Sequence, residues 1–489
     1  MKITIPTLKP NLYIALILVV AAITRLLVIL YAQADAGDTS TYELLATNIM
    51  RGCGLSHSDP NSSECVLTSG GYFPGYPAFI ASTWMIFGKS VYAVLLAQLV
   101  CYLLALYWLL IALVRLTNGT KAMIGVGVLL ALSPLQVGWF RFILTEPLAI
   151  ATATWFLAEL IISVANRKLR VFHLALALSA SIYVRPDTIF MVMGVFLVSF
   201  YIYDFKNSIK QIFIVVLLTT LPVSGWLVRN FLIGHTPLGM WSEVAPKAPG
   251  YFMWLNTWVV NEYEQADANH TVWRADYSEI KIHRSRYISD EEFAKIQLLT
   301  NELSAFNGKK FPEKIDHQFY ELAIKKISSR SKYIPIQIYF ERAFWLILNP
   351  FSSWGLPFEM REIDRSAVNN AIKNADLVRL NQLLSGYKLV IFGKIAVFLY
   401  RVLIFATFIY LAVLIVFKPI PKNFSSFTNE IRVLVLAVAL VAIARIIFFI
   451  SRGSLESRYL IEVVPWVECC CVLLFIARLK FSLPVRVKQ

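Results

Sequence analysis

Charge is scarce in this chain. Asp, Glu, Lys and Arg make up 16% of its 489 residues, while 57% are hydrophobic. A soluble fold of this length has nowhere to hide so much apolar surface, and several apolar runs approach the thickness of a bilayer. Acids are the scarcer sign: 31 Asp and Glu stand against 46 Lys and Arg, for a net charge of +15. In a polytopic chain that excess is read first as cytoplasmic loops, not as a nucleic-acid surface. The six histidines lack zinc-type spacing. Cys469, Cys470 and Cys471 are consecutive, so a helix turns them to different faces and away from any common metal. There is no internal repeat or low-complexity tract, which removes one line of support for an inverted-repeat transporter.

What is present is a series of apolar runs. Residues 11–31 form the first; the following AQADA resembles a signal-peptidase site, but the run is long for a leader and carries Arg25, so an uncleaved anchor is expected. Further spans are expected at 90–113, 122–137, 147–165, 171–184, 188–203, 211–228, 391–417, 431–450 and 460–477, about ten in all. The short basic loops then fall on one side with both termini: Arg115 and Lys121, NRKLR at 166–170, Lys206 and Lys210, Lys418 and Lys422, and a tail with Arg478, Lys480, Arg486 and Lys488. The stretch 72–88 is too short and too broken by proline to span, and is expected to lie at the interface. The expected class is therefore an all-α polytopic membrane protein in three parts. These are an N-terminal transmembrane module (1–228, with an external loop at 32–89), an extracytoplasmic loop domain (229–388, with an aromatic interfacial segment at 333–358), and a C-terminal transmembrane module with a basic tail (389–489).

On this topology the outward loops share a pattern. They carry Asp35 and Asp38; Arg141 and Glu146; Arg185 and Asp187; Arg229 and Asn230; and Glu456, Arg458 and Tyr459. Charges so close to hydrocarbon are costly and mark function by default, although any single pair would serve equally as an ionic anchor of helix ends. Asp38 precedes STYE at 40–43, a capping-box sequence with Ser40 as cap and Glu43 three residues on, which leaves Asp38 free of capping. One carboxylate among several arginines suits transfer of a group from a lipid phosphate. Arginines hold the charge of the leaving phosphate, and the carboxylate takes the proton of an incoming hydroxyl. Cys53 and Cys65, in the first external loop, read either as a disulfide or as two free thiols.

The motifs GDTSTYELLATNIMRGCGL, GYFPGYPAF, RFILTEPL, YVRPD, GWLVRNFLIG and ESRYLIEVVPWV, in this order, resemble the GT-C superfamily. The likeness is to its polyprenyl-phosphate-sugar-dependent transferases, which include protein O-mannosyltransferases and the aminoarabinose transferases of lipid A. The resemblance implies a GT-C fold, with Asp38 as catalytic base and Asp35 the lesser candidate. It also implies Glu146 as the second acid and Arg458 as partner of the donor phosphate, and Arg229 or Arg185 is expected to help Arg458 stabilise that phosphate. Tyr42, Arg141, Asp187, Tyr459 and Glu456 are the expected supporting residues. The expected activity is an inverting transfer of sugar from a polyprenyl monophosphate to a hydroxyl of an extracytoplasmic lipid, glycan or protein, at the outer face of a bacterial inner membrane. A divalent metal held by Asp35, Asp38 and Glu146 is left open, and no other cofactor is implied. The alternatives are a polymerase or ligase using lipid-diphosphate oligosaccharides, and a lipid-sugar flippase, which needs polar residues along the middle of its spans.

Overall fold

The computed structural model describes residues 10–65, 67, 73–233, 248–269, 272, 275–282, 285, 287–329, 333–349, 352, 354–357, 376–417 and 426–482. Lys418, Lys422, Arg486 and Lys488 of the expected basic loops, and parts of the segments 225–239 and 333–358, lie outside these residues. Among the described residues the fold is helical throughout, with one isolated β-bridge between Ser56 and Leu67.

The first half contains α1 (Pro10–Tyr31), α2 (Thr39–Met50), α3 (Gly75–Phe87), α4 (Val91–Thr117), α5 (Lys121–Leu132), the single turn α6 (Pro134–Val137), α7 (Thr145–Ala165), α8 (Val171–Val184), α9 (Val192–Ile202) and α10 (Phe205–Leu232). The intervening polar stretch forms α11 (Pro249–Leu255), α12 (Glu262–Asn269), α13 (Asp290–Ser304), α14 (Glu313–Ser329) and α15 (Tyr333–Leu348). The chain closes with α16 (Leu377–Leu384), α17 (Lys388–Phe417), α18 (Ser426–Arg452) and α19 (Val464–Ser482).

Each expected span falls on an apolar helix, but the lengths differ. Among the described residues six helices are long and apolar enough to cross a bilayer, and α5 with the turn after it makes a seventh if the pair, bent by 46°, is one span. The segments 171–184, 186–202 and 464–477 are shorter. This is an integral membrane protein, and length and composition alone qualify six or seven crossings rather than ten. At 13 residues, α3 is about 20 Å long, short of the ~30 Å hydrocarbon core. It packs on α2, α4 and α8.

The bend after α5 has a clear cause. Pro134 cannot donate to the helix, and the carbonyls ahead of it lose their partners. Arg25 on α1 supplies donors instead: Nη1 reaches the Ala131 carbonyl at 2.9 Å and Nη2 the Leu130 carbonyl at 3.0 Å. Thr24 and Tyr102 donate to the same two oxygens. On the far side of the break, Ser133 and Gln136 each donate to the Glu468 carboxylate at 2.5 Å, and Tyr400 does so at 2.8 Å. Arg25 and Glu468 are both fully buried. The middle of the spans is therefore less apolar than the sequence pattern suggests, with Arg25 and Glu468 each held by buried hydrogen bonds.

Two apolar clusters organise the chain. One runs through the membrane helices of both halves; the other joins α11, α13 and α14 around Tyr251, Trp254, Trp258, Phe311 and Phe319. Leu455, from the link between α18 and α19, belongs to the second cluster. Arg342 on α15 strengthens that connection. Its guanidinium donates to the carbonyls of Val259 at 2.8 Å, Asn256 at 3.0 Å and Ile450, near the end of α18, at 2.8 Å. Gly453 turns here with φ +68°, and a Cβ at that position would lie 2.7 Å from the Asn256 side chain. The helices of the polar stretch thus grip the segment that carries Glu456 and Arg458.

Candidate functional site

Five segments end at one place. Asp38 precedes α2, and Glu146 lies in the first turn of α7. Arg185 and Asp187 sit where α8 gives way to a short 3-10 turn. Arg445 comes from α18, and Glu456, Arg458 and Glu462 from the link to α19.

Asp38 holds the N-cap position of α2, yet its side chain makes no capping bond. The expected capping box on Ser40 and Glu43 is not formed, because the helix starts two residues earlier than that cap implies and Ser40 lies inside it. Thr39 sets that start. Its hydroxyl accepts from the Ala36 N–H at 3.1 Å and donates to the Ile143 carbonyl at 3.2 Å, tying α2 to the approach to α7. The carboxylate of Asp38 points instead at Arg458, with Oδ2 to Nη1 at 3.2 Å. The same Nη1 lies 3.7 Å from Glu146 Oε1, and Nε lies 2.5 Å from Glu456 Oε2.

Behind this layer is a second, drier one. Arg185 reaches Glu146 at 3.1 Å, Glu462 at 2.8 Å and Asp187 at 3.5 Å. Arg445 reaches Asp187 at 2.5 Å and Glu462 at 2.7 Å, and also donates to the Tyr459 carbonyl. Three arginines and five carboxylates thus form one connected network among the described residues. Exposure divides the three cations. The side chain of Arg458 is 26% exposed, that of Arg185 9% and that of Arg445 0%. Only Arg458 stands where solvent or a ligand can approach.

Burial works against the charge of both Arg185 and Arg458, but the carboxylates prevail. Glu462, Asp187 and Glu146 hold Arg185 above its ordinary pKa, and Glu456, Glu146, Tyr459 and Asp38 do the same for Arg458. Glu262 on α12 is a further titratable neighbour. Burial, reinforced by Glu456, raises it to about 7, opposed by a hydrogen bond from Asn349 at 2.8 Å and by Arg458 and Arg401. Tyr76 on α3 borders the site from the other side. It donates to Gln98 at 2.6 Å and meets Tyr42 edge-on at 4.9 Å; burial, Tyr42 and Glu146 raise its pKa.

Of the residues singled out in the sequence, Asp38, Glu146, Arg185, Asp187, Glu456, Arg458 and Tyr459 are assembled here. Asp35 is exposed, and its charge, after burial, helps to raise the pKa of Glu43. Arg141 donates to the Ala32 carbonyl at 3.1 Å and lies over Phe142. Arg229 bonds Asn230 at 2.9 Å and lies over Trp226. Cys53 and Cys65 are joined in a disulfide with a Cα–Cα distance of 5.2 Å. Among the described residues no group of three or more His, Cys, Asp or Glu side chains is placed to hold a metal ion. Sequence reading missed Arg445 and Glu462. The signal for the first was an arginine inside an apolar span; the second lay unremarked within the quoted motif.

No protein-family model matches the chain, and no curated protein does. Among solved structures it is similar to the oligosaccharyltransferase of Archaeoglobus fulgidus in its apo form, with a TM-score of 0.46, 10% identity, and 97% of this chain and 51% of that one covered. The same archaeal enzyme with an inhibitory peptide and a dolichol-phosphate gives 0.41, 12%, and 98% and 53%. ArnT from Cupriavidus metallidurans bound to undecaprenyl phosphate gives 0.35, 13%, and 96% and 77%. The chain spans about half the length of the archaeal enzyme. Overlaps of this score and identity leave function to be argued from the chain's own residues.

Proposed function

We propose that the chain is a membrane-embedded, inverting glycosyltransferase. It moves a sugar from a polyprenyl monophosphate to a hydroxyl of an extracytoplasmic lipid, glycan or protein, at the outer face of a bacterial inner membrane. The observation that carries this reading is Asp38. It is a carboxylate in a capping position that does not cap, aimed at the one arginine of the cluster that a ligand can reach.

In the reaction, the acceptor O–H gives its proton to Asp38 while its oxygen forms a bond to the anomeric carbon. The bond from that carbon to the phosphate oxygen breaks, and its electron pair leaves with the phosphate. Attack opposite the leaving group in one step inverts the centre. Arg458 holds the phosphate through charge-assisted hydrogen bonds. Arg185 is too deeply engaged to meet the donor; its part is to hold Glu146 against Arg458. General base catalysis of this kind contributes about 10²- to 10⁴-fold.

Mass spectrometry of envelope glycans and lipids from cells with and without the gene tests the reading. One glycan or lipid should lose a single sugar in the deletion and regain it with the wild-type gene. Identical profiles in both strains would contradict it.

A further inference from the structure

Arg458 has two working edges, and they are differently engaged. Nε faces Glu456 at 2.5 Å, and Nη1 faces Asp38 at 3.2 Å with Glu146 at 3.7 Å. Glu146 is 1% exposed and fixed by Arg185, so it cannot withdraw. Asp38 is the loosest of the three partners. Its side chain is 39% exposed, no capping bond restrains it, and it stands at a helix start whose free N–H groups favour a carboxylate in more than one position.

A phosphate arriving at Arg458 therefore has one replaceable competitor. We propose that Asp38 and the donor phosphate compete for Nη1 of Arg458, so that donor binding unmasks the base. This rests on the glycosyltransferase reading above and extends it to the order of events. In the empty site the carboxylate of the base is engaged by the arginine. When phosphate takes Nη1, Asp38 swings free beside the donor sugar and can accept the proton of the acceptor hydroxyl. Glu456 and Glu146 remain to keep Arg458 charged and in place. No bond is made or broken in the exchange; one ion pair replaces another. The consequence is an ordered reaction, donor before acceptor, with a base that is engaged until a lipid phosphate is bound.

The signature is a variant that transfers worse yet binds its donor better. Binding of undecaprenyl phosphate to the full-length protein in nanodiscs would be compared for wild type, Asp38→Asn, Arg458→Gln and the double variant, with undecaprenol as the phosphate-free control. Removing the competing charge should tighten binding of undecaprenyl phosphate by roughly 2- to 5-fold, the range expected of a partly exposed ion pair. Undecaprenol should bind all four alike. In the Arg458→Gln background, Asp38→Asn should bring no gain, because nothing is left to compete for. Asp38→Ser, which also removes the charge, should repeat the single-variant gain and guards against an effect peculiar to asparagine. Unchanged or weaker binding in both Asp38 variants would overturn the competition, as would a gain that persists without Arg458. Neither result depends on transfer activity, so the competition can fail while the glycosyltransferase reading stands, and the reverse.

Discussion

A buried arginine shared by one buried and one nearly buried carboxylate is a demanding arrangement. Arg445 is fully enclosed between Asp187 and Glu462, and desolvating the three groups costs about as much as their attraction returns. Removing the cation alone is another matter, since it leaves two acids with only Arg185 between them. Arg445→Met should therefore cost about 3–5 kcal/mol of stability, read as a lower thermal midpoint in detergent. Adding Glu462→Gln should recover part of that loss; a midpoint equal to wild type for Arg445→Met would mean that the acids are not charged there. The limits of the sequence are visible in the same residues. Asp38, Glu146 and Arg458 could be found because each flanks an apolar run. Arg445 lies inside one, where a charge can be read from sequence but its partners cannot, because Asp187 is 258 positions away.

At the scale of elements, the outcome at α2 was right for the wrong reason. The sequence pattern assigned the cap to Ser40, and Asp38 was free by elimination. In the fold Asp38 occupies the cap position and is free because Arg458 draws its side chain away. A local motif could not show that, since the competing partner comes from the other end of the chain. The broken helix after α5 gives a second example. Pro134 marks the break, but only the fold shows Arg25 satisfying the carbonyls that the break releases. A third element-scale consequence concerns α12. Glu262 is raised to about 7, so between the ordinary carboxylate value and 7 the folded state binds more protons than the unfolded one. Stability of the polar-stretch helices should then fall as pH rises through that window, and level off above it. Glu262→Gln should flatten the profile, which amide exchange at α12 between pH 5 and pH 8 can measure; an unchanged slope would contradict the assignment.

For the molecule as a whole, the apolar runs and basic loops were enough to place the helices. They were not enough to count crossings, because three of the ten segments are short. Orientation is open to a direct test with cysteine substitutions at exposed positions and an impermeant thiol reagent. Lys168 and Lys206 should be protected in intact cells, and Glu64 and Lys310 should label. Labelling of position 168 from outside would reverse the topology and move the site to the cytoplasmic face. What the sequence could not supply is the grip of the polar-stretch helices on the link carrying Arg458, through Arg342, Leu455 and Gly453. That contact joins segments far apart in the chain, and it anchors the link that carries Arg458.

The central claim is that Asp38 is the base, and the most direct measurement is the rate of sugar transfer by purified Asp38→Asn beside Asp35→Asn and wild type. Asparagine keeps the size and reach of the side chain and removes its basicity. The account predicts a loss of about 100-fold or more for Asp38→Asn, within the range of general base catalysis, and a much smaller loss for the exposed Asp35→Asn. Wild-type transfer by Asp38→Asn would contradict it, and a dead Asp35→Asn beside it would move the base three residues toward the membrane.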